Sequence, residues 1–442
     1  MSSNSTAVES SEVELVHSRH HARTDGEHDG EGNSIEFSLP PVDRGKEAWF
    51  FLAGAFMIEA LVWGFPFSFG VFQSYYSSHP LFAGNNSIAV IGTTASGIMY
   101  LIAPVVFTFL SQFPAQRRKS TVIGLALCVI SFIAASFANT VAQLVATQGV
   151  MYALGGSLLY APVIVWLDEW FVQRKGLAYG VMWAGTGTSG LLLPLIINAG
   201  LQAYDFRTVH RASAVAMMVL SAPLLYYVQP RLPVPAASTT RSLDYKFLKS
   251  TTFWVLQASN IVEGLGFFLP PLYLPSYAVT ALRLSPQTSS LLLSLLNAAS
   301  VPGQIFHGAL CDRVHITTVI VVSAVGTALS VFLTWGLGGT LPWLIVFSLL
   351  YGFFAGGFTS IYGGMGKEMR RQYPSTEQGL VFGIMAAGRG VGNVVAGPMS
   401  EVLLKSWDAS GKGAYGSKFG GLVVVTGVTA AVSGAGWIAR RL

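Results

Sequence analysis

Twelve apolar runs, each close to the length of a membrane-crossing helix, dominate the chain after Trp49. A helix needs about 20 apolar residues to cross the hydrocarbon core of a bilayer. The runs lie near 49–74, 88–110, 121–138, 141–166, 177–200, 211–228, 252–278, 287–310, 317–337, 341–365, 380–404 and 418–439. Only 11% of the residues are charged, whereas a soluble domain has about 25%. The pattern therefore predicts an all-α polytopic membrane protein with twelve transmembrane helices.

A Gly-rich apolar sequence occurs twice, at the start of the fifth run and again at the start of the eleventh. The copies place glycines at the same spacing: Gly176, Gly180, Gly185 and Gly187 in the first, and Gly379, Gly383, Gly388 and Gly390 in the second. The first and seventh runs are also related, because Glu59 and Glu263 each begin a similar segment that ends in proline. Twelve helices in two parallel repeats are the architecture of the major facilitator fold. We therefore expect two six-helix pseudo-repeats.

The segments outside the runs predict the domain organisation. Residues 1–47 are polar and lack apolar periodicity, which is typical of a disordered tail. Residues 229–250 are rich in Pro, Ser and basic residues and divide the runs six and six. We expect them to link an N-terminal bundle at 48–228 to a C-terminal bundle at 251–442.

Basic residues are concentrated in the connections on one side of the predicted membrane. The positive-inside rule makes this side cytoplasmic, so both termini and the linker are expected in the cytoplasm. The same dispersal into short clusters excludes a nucleic-acid-binding surface, despite a net charge of +5. In the first outer loop, Asn85 begins an Asn-x-Ser sequon and is a candidate glycosylation site.

Three charged residues fall inside apolar runs, where charge is costly and usually functional. Glu59, Glu263 and Arg389 lie nine to eleven residues into their helices, and a rise of about 1.5 Å per residue brings each near the membrane midplane. Two interpretations stay open. The three form an ion pair or network that only joins helices, or one glutamate pairs with Arg389 while the other carries a proton. In the second, Arg389 anchors a substrate carboxylate, since its guanidinium suits bidentate binding.

Polar residues also follow one face of the eighth helix. Asn297, Ser300 and Gln304 are spaced by three and four residues, so they share that face. They are candidate substrate contacts, with Asn393 one turn beyond Arg389 and Phe67 as an aromatic wall. Packing between helices explains the same stripe equally well.

Charged residues at the predicted cytoplasmic helix ends are candidate gates. Asp168 and Arg174 flank one end of the fifth helix, and Asp312 and Arg313 end the eighth. They are placed to pair across the two bundles and hold the outward-facing state. Ordinary positive-inside charge is the alternative.

Several motifs together resemble the monocarboxylate-transporter-like branch of the major facilitator superfamily, and its fungal members most closely. They are Asp43-Arg44-Gly45, Ser68 to Tyr76, Gly155 to Pro162, Trp170 to Pro194, Phe206-Arg207 with Arg211, Gly308 to Arg313 and Ala396-Gly397-Pro398. The resemblance extends from Asp43 to Leu442 and implies a location in the plasma membrane. Animal monocarboxylate carriers have a lysine in the first helix and an Asp–Arg pair in the eighth. These fall on Phe67, Ser300 and Gln304, so the usual proton–lactate mechanism does not carry over.

The sequence favours a secondary active transporter that moves a small organic anion or weakly acidic metabolite by alternating access, with a proton as the expected co-substrate. The alternative is an efflux carrier for a larger secondary metabolite, and a transporter-like nutrient sensor is a third interpretation. An enzyme is not expected, because the embedded acids lack a metal cluster or a nucleophile–base pair. The expected partners are the substrate, the proton and the lipid bilayer; no cofactor or metal is expected, and the chain is expected to be a monomer.

Overall fold

The computed structural model describes residues 39–85, 87–233, 240–407 and 412–441, and every regular element within these ranges is helical. Eleven helices are long and apolar enough to cross a membrane. They are α1 Lys46–Ser78, α2 Ile88–Gln112, α3 Pro114–Ala135, α4 Val141–Trp170, α5 Lys175–Ala203, α6 Phe206–Tyr227, α8 Pro286–Arg313, α9 Ile316–Gly336, α10 Leu341–Gln372, α11 Gln378–Ser406 and α12 Gly420–Arg441. The predicted all-helical membrane fold is confirmed.

The seventh predicted span, α7, consists of two shorter helices, Thr251–Phe267 and Leu269–Thr280. The break falls at Phe268, directly before Leu269-Pro270-Pro271. A proline has no N–H to donate and its ring clashes with the preceding turn, so helices tend to restart at such a position. The break therefore follows from local sequence.

Several helices extend beyond the apolar runs that predicted them. Helix α1 begins at Lys46, before the predicted run that starts at 49. Most of the predicted tail at 1–47 lies outside the described residues. Helix α6 begins at Phe206 rather than 211, because Asp205 caps it by accepting a hydrogen bond from the Thr208 N–H at 2.9 Å. Arg207 and Arg211 interrupt the apolar pattern, so the sequence did not indicate that the helix begins at Phe206.

Four helix pairs position the candidate site. Helix α1 packs on α5 and α7 packs on α11, so the two related pairs make the same contact within the first six and the last six helices. Helices α5 and α8, and α2 and α11, then join the two sets. We name the side at which α1 begins the linker face; the turn at 171–174 and residues 240–250 lie there.

One glycine pair shows why the repeated Gly-rich sequence packs closely. At the linker face a Cβ on Gly176 of α5 would overlap the carbonyl oxygen of Gly308 of α8, and the reverse also holds. Only glycine leaves room for the two backbones there. The first copy of the repeat therefore joins the two sets of six helices at the linker face.

Candidate functional site

A buried ion pair joins α7 and α11. The Arg389 Nη1 donates to Oε2 of Glu263, and the Arg389 side chain is fully buried. The guanidinium carbon lies 4.0 Å from the centre of the Phe267 ring, which is a favourable cation–π position. Its Nε and Nη2 have no hydrogen-bond partner among the described residues. Glu263 therefore occupies one side of Arg389, and the other two nitrogens retain donor capacity.

Glu59 occupies the position in α1 that matches Glu263 in α7, but its surroundings differ. It is fully buried, and neither carboxylate oxygen has a hydrogen-bond partner within the ranges that the structure covers. The matching position to Arg389 is Thr186, whose hydroxyl donates to the Trp183 carbonyl at 2.8 Å. An isolated ionised carboxylate in such a place costs several kcal/mol. Glu59 is therefore the acid of the site that lacks a basic partner.

Aromatic rings surround this part of the membrane. The Trp63 ring, one turn after Glu59, lies 4.7 Å from Tyr100, 5.7 Å from Tyr160 and 6.2 Å from Trp183, centre to centre. Phe67, one turn further, stacks on Trp63 at 5.9 Å and is 39% exposed. The predicted aromatic wall at Phe67 thus borders a buried aromatic cluster.

A phenylalanine from α11 closes this cluster towards the linker face. Phe382 lies 5.1 Å from Phe107 of α2, 6.4 Å from Tyr179 and 6.1 Å from Trp183 of α5. These three partners belong to the first six helices, whereas Phe382 and its fourth aromatic neighbour, Tyr362 of α10 at 5.6 Å, belong to the last six. The contacts that Phe382 makes with these rings must therefore break if the two sets of six helices separate at the linker face.

The polar stripe of α8 faces α5. Asn297 Nδ2 donates to the Gly190 carbonyl at 3.0 Å, and Gln304 Nε2 donates to the Thr186 hydroxyl at 3.3 Å. Ser300 donates to the Asn297 carbonyl of its own helix at 2.7 Å. Within the described ranges none of the three contacts Arg389 through a hydrogen bond. Their placement agrees with the packing interpretation, although Gln304 keeps an unpaired buried Oε1.

Asn393 has a different environment from the α8 stripe. It lies one turn after Arg389 in α11 and is half-buried. It lies further from the linker face than Arg389, and it has no hydrogen-bond partner in the described part of the chain.

At the linker face an aspartate joins the two sets of helices. The Asp312 carboxylate, at the end of α8, accepts hydrogen bonds from the backbone N–H groups of Gly176 at 2.7 Å and Leu177 at 2.8 Å. These groups belong to the first turn of α5, where unpaired N–H groups and the helix dipole favour a negative charge. Asp312 therefore fastens α5 to α8 in this conformation.

The other predicted gate residues do not bridge the two sets. Asp168 forms an ion pair with Lys175 at 2.9 Å, and both belong to the first six helices. The Arg174 and Arg313 side chains are exposed and make no ion pair among the described residues. The depth of a residue along a helix does not fix the direction of its side chain, which is why sequence analysis grouped all four.

Asp43, which precedes α1, contacts the turn between α4 and α5, and sequence reasoning did not find this contact. Its carboxylate accepts hydrogen bonds from the N–H groups of Val172, Gln173 and Arg174 at 2.9 to 3.2 Å. The only signal was its place in the Asp43-Arg44-Gly45 motif. Asp43 therefore binds the turn directly before the α5 N–H groups that Asp312 binds.

Asn85 lies in the connection between α1 and α2, at the face opposite the linker. It is exposed, and its Oδ1 accepts a hydrogen bond from the Ser87 N–H at 2.9 Å. Asn86, between them, lies outside the described residues.

Two related sets of six helices around a buried ion pair are the arrangement found in secondary transporters. A family model described as Major Facilitator Superfamily matches residues 48–360 and 258–441. The chain therefore belongs to the Major Facilitator Superfamily, and it is a multi-pass membrane transporter.

Fungal transporters are among its similar sequences. The "MFS-type transporter pynF" of Aspergillus niger is 28% identical over 84% of this chain and 85% of its own. The "Fujikurins efflux protein" of Gibberella fujikuroi is 26% identical over 83% of this chain and 78% of its own. The "Agnestins efflux protein AgnL12" of Paecilomyces divaricatus is 25% identical over 88% and 87%.

A solved structure shares the fold. The proton:xylose symporter XylE, bound to 6-bromo-6-deoxy-D-glucose, aligns with a TM-score of 0.66 over 88% of this chain and 94% of its own. Its sequence identity is 12%, so the likeness concerns the fold alone.

Proposed function

We propose that this transporter exports a weakly acidic secondary metabolite in exchange for protons. The observation that carries the proposal is Glu59, which has no hydrogen-bond partner among the described residues and lies at a similar helical depth to the Arg389–Glu263 pair. A buried carboxylate without a basic partner is stable when protonated and costly when ionised, which suits a site that gains and loses a proton. Two fungal relatives are named as efflux proteins for fujikurins and agnestins, which supports export of such a cargo.

The exchange works by competition at one site. With the linker face open, Glu59 releases its proton, and the acidic group of the cargo binds in its neutral form. Its O–H donates to the Glu59 carboxylate, and its other oxygen accepts from the free nitrogens of Arg389. At the opposite face a proton binds Glu59 and removes this acceptor, so the cargo leaves with its own proton. One proton enters for each cargo molecule that leaves.

The proposal includes an orientation. We place the linker face in the cytoplasm, because basic residues are concentrated there, and we place the transporter in the plasma membrane as a monomer. The boundaries 48–228, 229–250 and 251–442 are retained as its two bundles and linker. Asn85 then lies outside the cell, where its exposure makes it accessible for glycosylation.

Uptake of a small monocarboxylate with a proton is the second candidate. Arg389 favours it, because Nε and Nη2 form the edge of the guanidinium that binds a carboxylate with two hydrogen bonds. The resemblance to the monocarboxylate-transporter-like branch points the same way. The packing of Ser300 against α5 argues against this candidate, since that position is not free to contact a small anion.

Metabolite profiling of the source organism tests the direction and the cargo class. We expect deletion of the gene to raise a weakly acidic metabolite inside cells and lower it in the medium. A strain carrying Glu59→Gln should resemble the deletion, whereas Glu401→Gln, at an exposed glutamate of α11, should resemble wild type. Loss of uptake of an external monocarboxylate, without a change in exported metabolites, would support the second candidate instead.

A further inference from the structure

The contact between Phe382 and the first six helices has a geometry that bears on the cargo. The rings of Phe382 and Trp183 are nearly parallel, with an angle of 14° and a centre-to-centre distance of 6.1 Å. Phe107 and Tyr179 complete the set of three rings that the first six helices place around Phe382. We call the space enclosed by Phe107, Tyr179 and Trp183 the aromatic slot. In the closed linker face, a flat hydrocarbon ring of the protein itself fills it.

Opening of the linker face must empty the aromatic slot. Its three residues belong to α2 and α5, and Phe382 belongs to α11. Alternating access moves one set of six helices against the other, so Phe382 leaves while the three rings stay together. Exposing these apolar ring faces to water is unfavourable. A cargo ring that occupies the emptied slot removes this cost.

A buried indole N–H group adds a polar requirement. Trp183 Nε1 has no acceptor among the described residues, and its side chain is 3% exposed. Buried indole N–H groups usually have a partner, and a buried donor without one is unfavourable. This donor belongs to the aromatic slot, so a ligand with acceptor oxygens would satisfy it.

We propose that the cargo is a planar, conjugated molecule with carbonyl or carboxylate oxygens, and that its ring takes the place of Phe382 in the aromatic slot when the linker face opens. The proposal rests on the proposed export function and specifies its substrate class. Cargo binding and closure by Phe382 then exclude each other, because both use the same three rings. The cargo is loaded from the linker face.

A pair of acids that differ only in aromaticity tests this inference. We propose 2-naphthoate and decahydro-2-naphthoate, which have the same charge and carbon skeleton, as probes with the purified transporter in proteoliposomes that carry a pH gradient. We expect wild type to transport the aromatic acid at least tenfold more efficiently, as kcat/KM. Trp183→Phe retains the ring but loses the N–H, and should raise KM for 2-naphthoate about twofold to tenfold. Trp183→Leu should abolish the preference between the two acids.

Trp343→Leu, at an exposed position of α10, is the control and should leave the preference unchanged. Thermal unfolding checks that each variant is folded, and Trp183→Tyr replaces any variant that is not. Equal transport of both acids by wild type overturns the aromatic slot but leaves export of weak acids standing. Transport of neither acid overturns both proposals, and an unchanged preference in folded Trp183→Leu and Trp183→Tyr overturns the slot alone.

Discussion

Asp312 of α8 and Gly176 of α5 are joined by a hydrogen bond of 2.7 Å between a carboxylate oxygen and a backbone N–H. The bond crosses between the two sets of six helices at the place where a Cβ on Gly176 would overlap the carbonyl oxygen of Gly308. It is supported by a second bond to Leu177 at 2.8 Å. Because both bonds require the helices to be in contact, they exist only while the linker face is closed.

Replacing Asp312 should open the linker face. We expect Asp312→Ala to remove two charge-assisted hydrogen bonds, each worth about 1.5–3 kcal/mol, and so to shift the population towards the linker-open state by more than tenfold. The measurement is the labelling rate of a cysteine at Ser111, which is buried against Gly379 in the closed face. Cys128 and Cys311 are replaced by serine in the background.

Asp244→Ala is the control for that experiment. Asp244 lies in the linker on the same face, where Ser375 donates to it and holds its pKa below the ordinary value. Labelling that rises equally in both variants would contradict a specific role for Asp312.

Glu59→Gln should uncouple transport from the pH gradient. Glutamine has the shape of protonated glutamate but cannot release a proton, so cargo exchange should proceed without net proton movement. We expect counterflow in proteoliposomes to persist, while gradient-driven transport falls at least tenfold. Gradient-driven transport at the wild-type rate in Glu59→Gln, with Glu401→Gln as the reference, would exclude Glu59 as the proton site.

Arg389→Lys should weaken binding of an acidic cargo while the transporter remains folded. Lysine keeps a positive charge for Glu263 but presents a single point of contact instead of the guanidinium edge. We expect KM for 2-naphthoate to rise about tenfold or more. A normal KM in Arg389→Lys would exclude the bidentate anchor.

Glu263→Gln, in contrast, leaves Arg389 as an uncompensated buried charge and should lower stability by about 3–5 kcal/mol, visible as a lower Tm.

The N-cap of α6 makes a pH-dependent contribution to stability. The hydrogen bond from the Thr208 N–H lowers the pKa of the Asp205 carboxyl. The stabilisation by the carboxylate is therefore complete above the ordinary aspartate pKa of about 3.9 and is lost as pH falls through the lowered value. Asp205→Ala should lower stability by about 1 kcal/mol at pH 7, with a smaller difference at about pH 3.

Asp205→Asn separates the hydrogen bond from the charge. Asparagine also accepts the cap bond but does not titrate, so its stability relative to Asp205→Ala should not change with pH. Thermal unfolding of the three proteins at both pH values provides the comparison. An Asp205→Ala difference that is constant with pH would show that the carboxylate charge is irrelevant.

Sequence reasoning identified the features that depend on depth and periodicity. The run lengths predicted the membrane helices, and the repeated glycines predicted the relation between the first six helices and the last six. Position along a helix also placed Glu59, Glu263 and Arg389 at similar depth. It could not choose between the two glutamates as the partner of Arg389, because that depends on the contact between α7 and α11.

Contacts set by helix rotation were not predictable from one chain. Asn297 and Gln304 share a helical face, but periodicity does not say that this face contacts α5. The sequence did not indicate a role for Phe382, because phenylalanine is common in apolar runs. Its role depends on Phe107 and Trp183, which are far from it in sequence.

The interruption of α7 at Phe268 gives its two parts separate anchors. The first part contains Glu263, and the Phe267 carbonyl at its end accepts a hydrogen bond from the Tyr351 hydroxyl of α10 at 3.0 Å. The second part, Leu269–Thr280, leads to the face opposite the linker, where the Tyr277 hydroxyl donates to the Gly338 carbonyl at 3.1 Å. Sharp breaks of this kind are usually found at proline. The buried ion pair and the face opposite the linker are therefore held through different contacts of one interrupted helix.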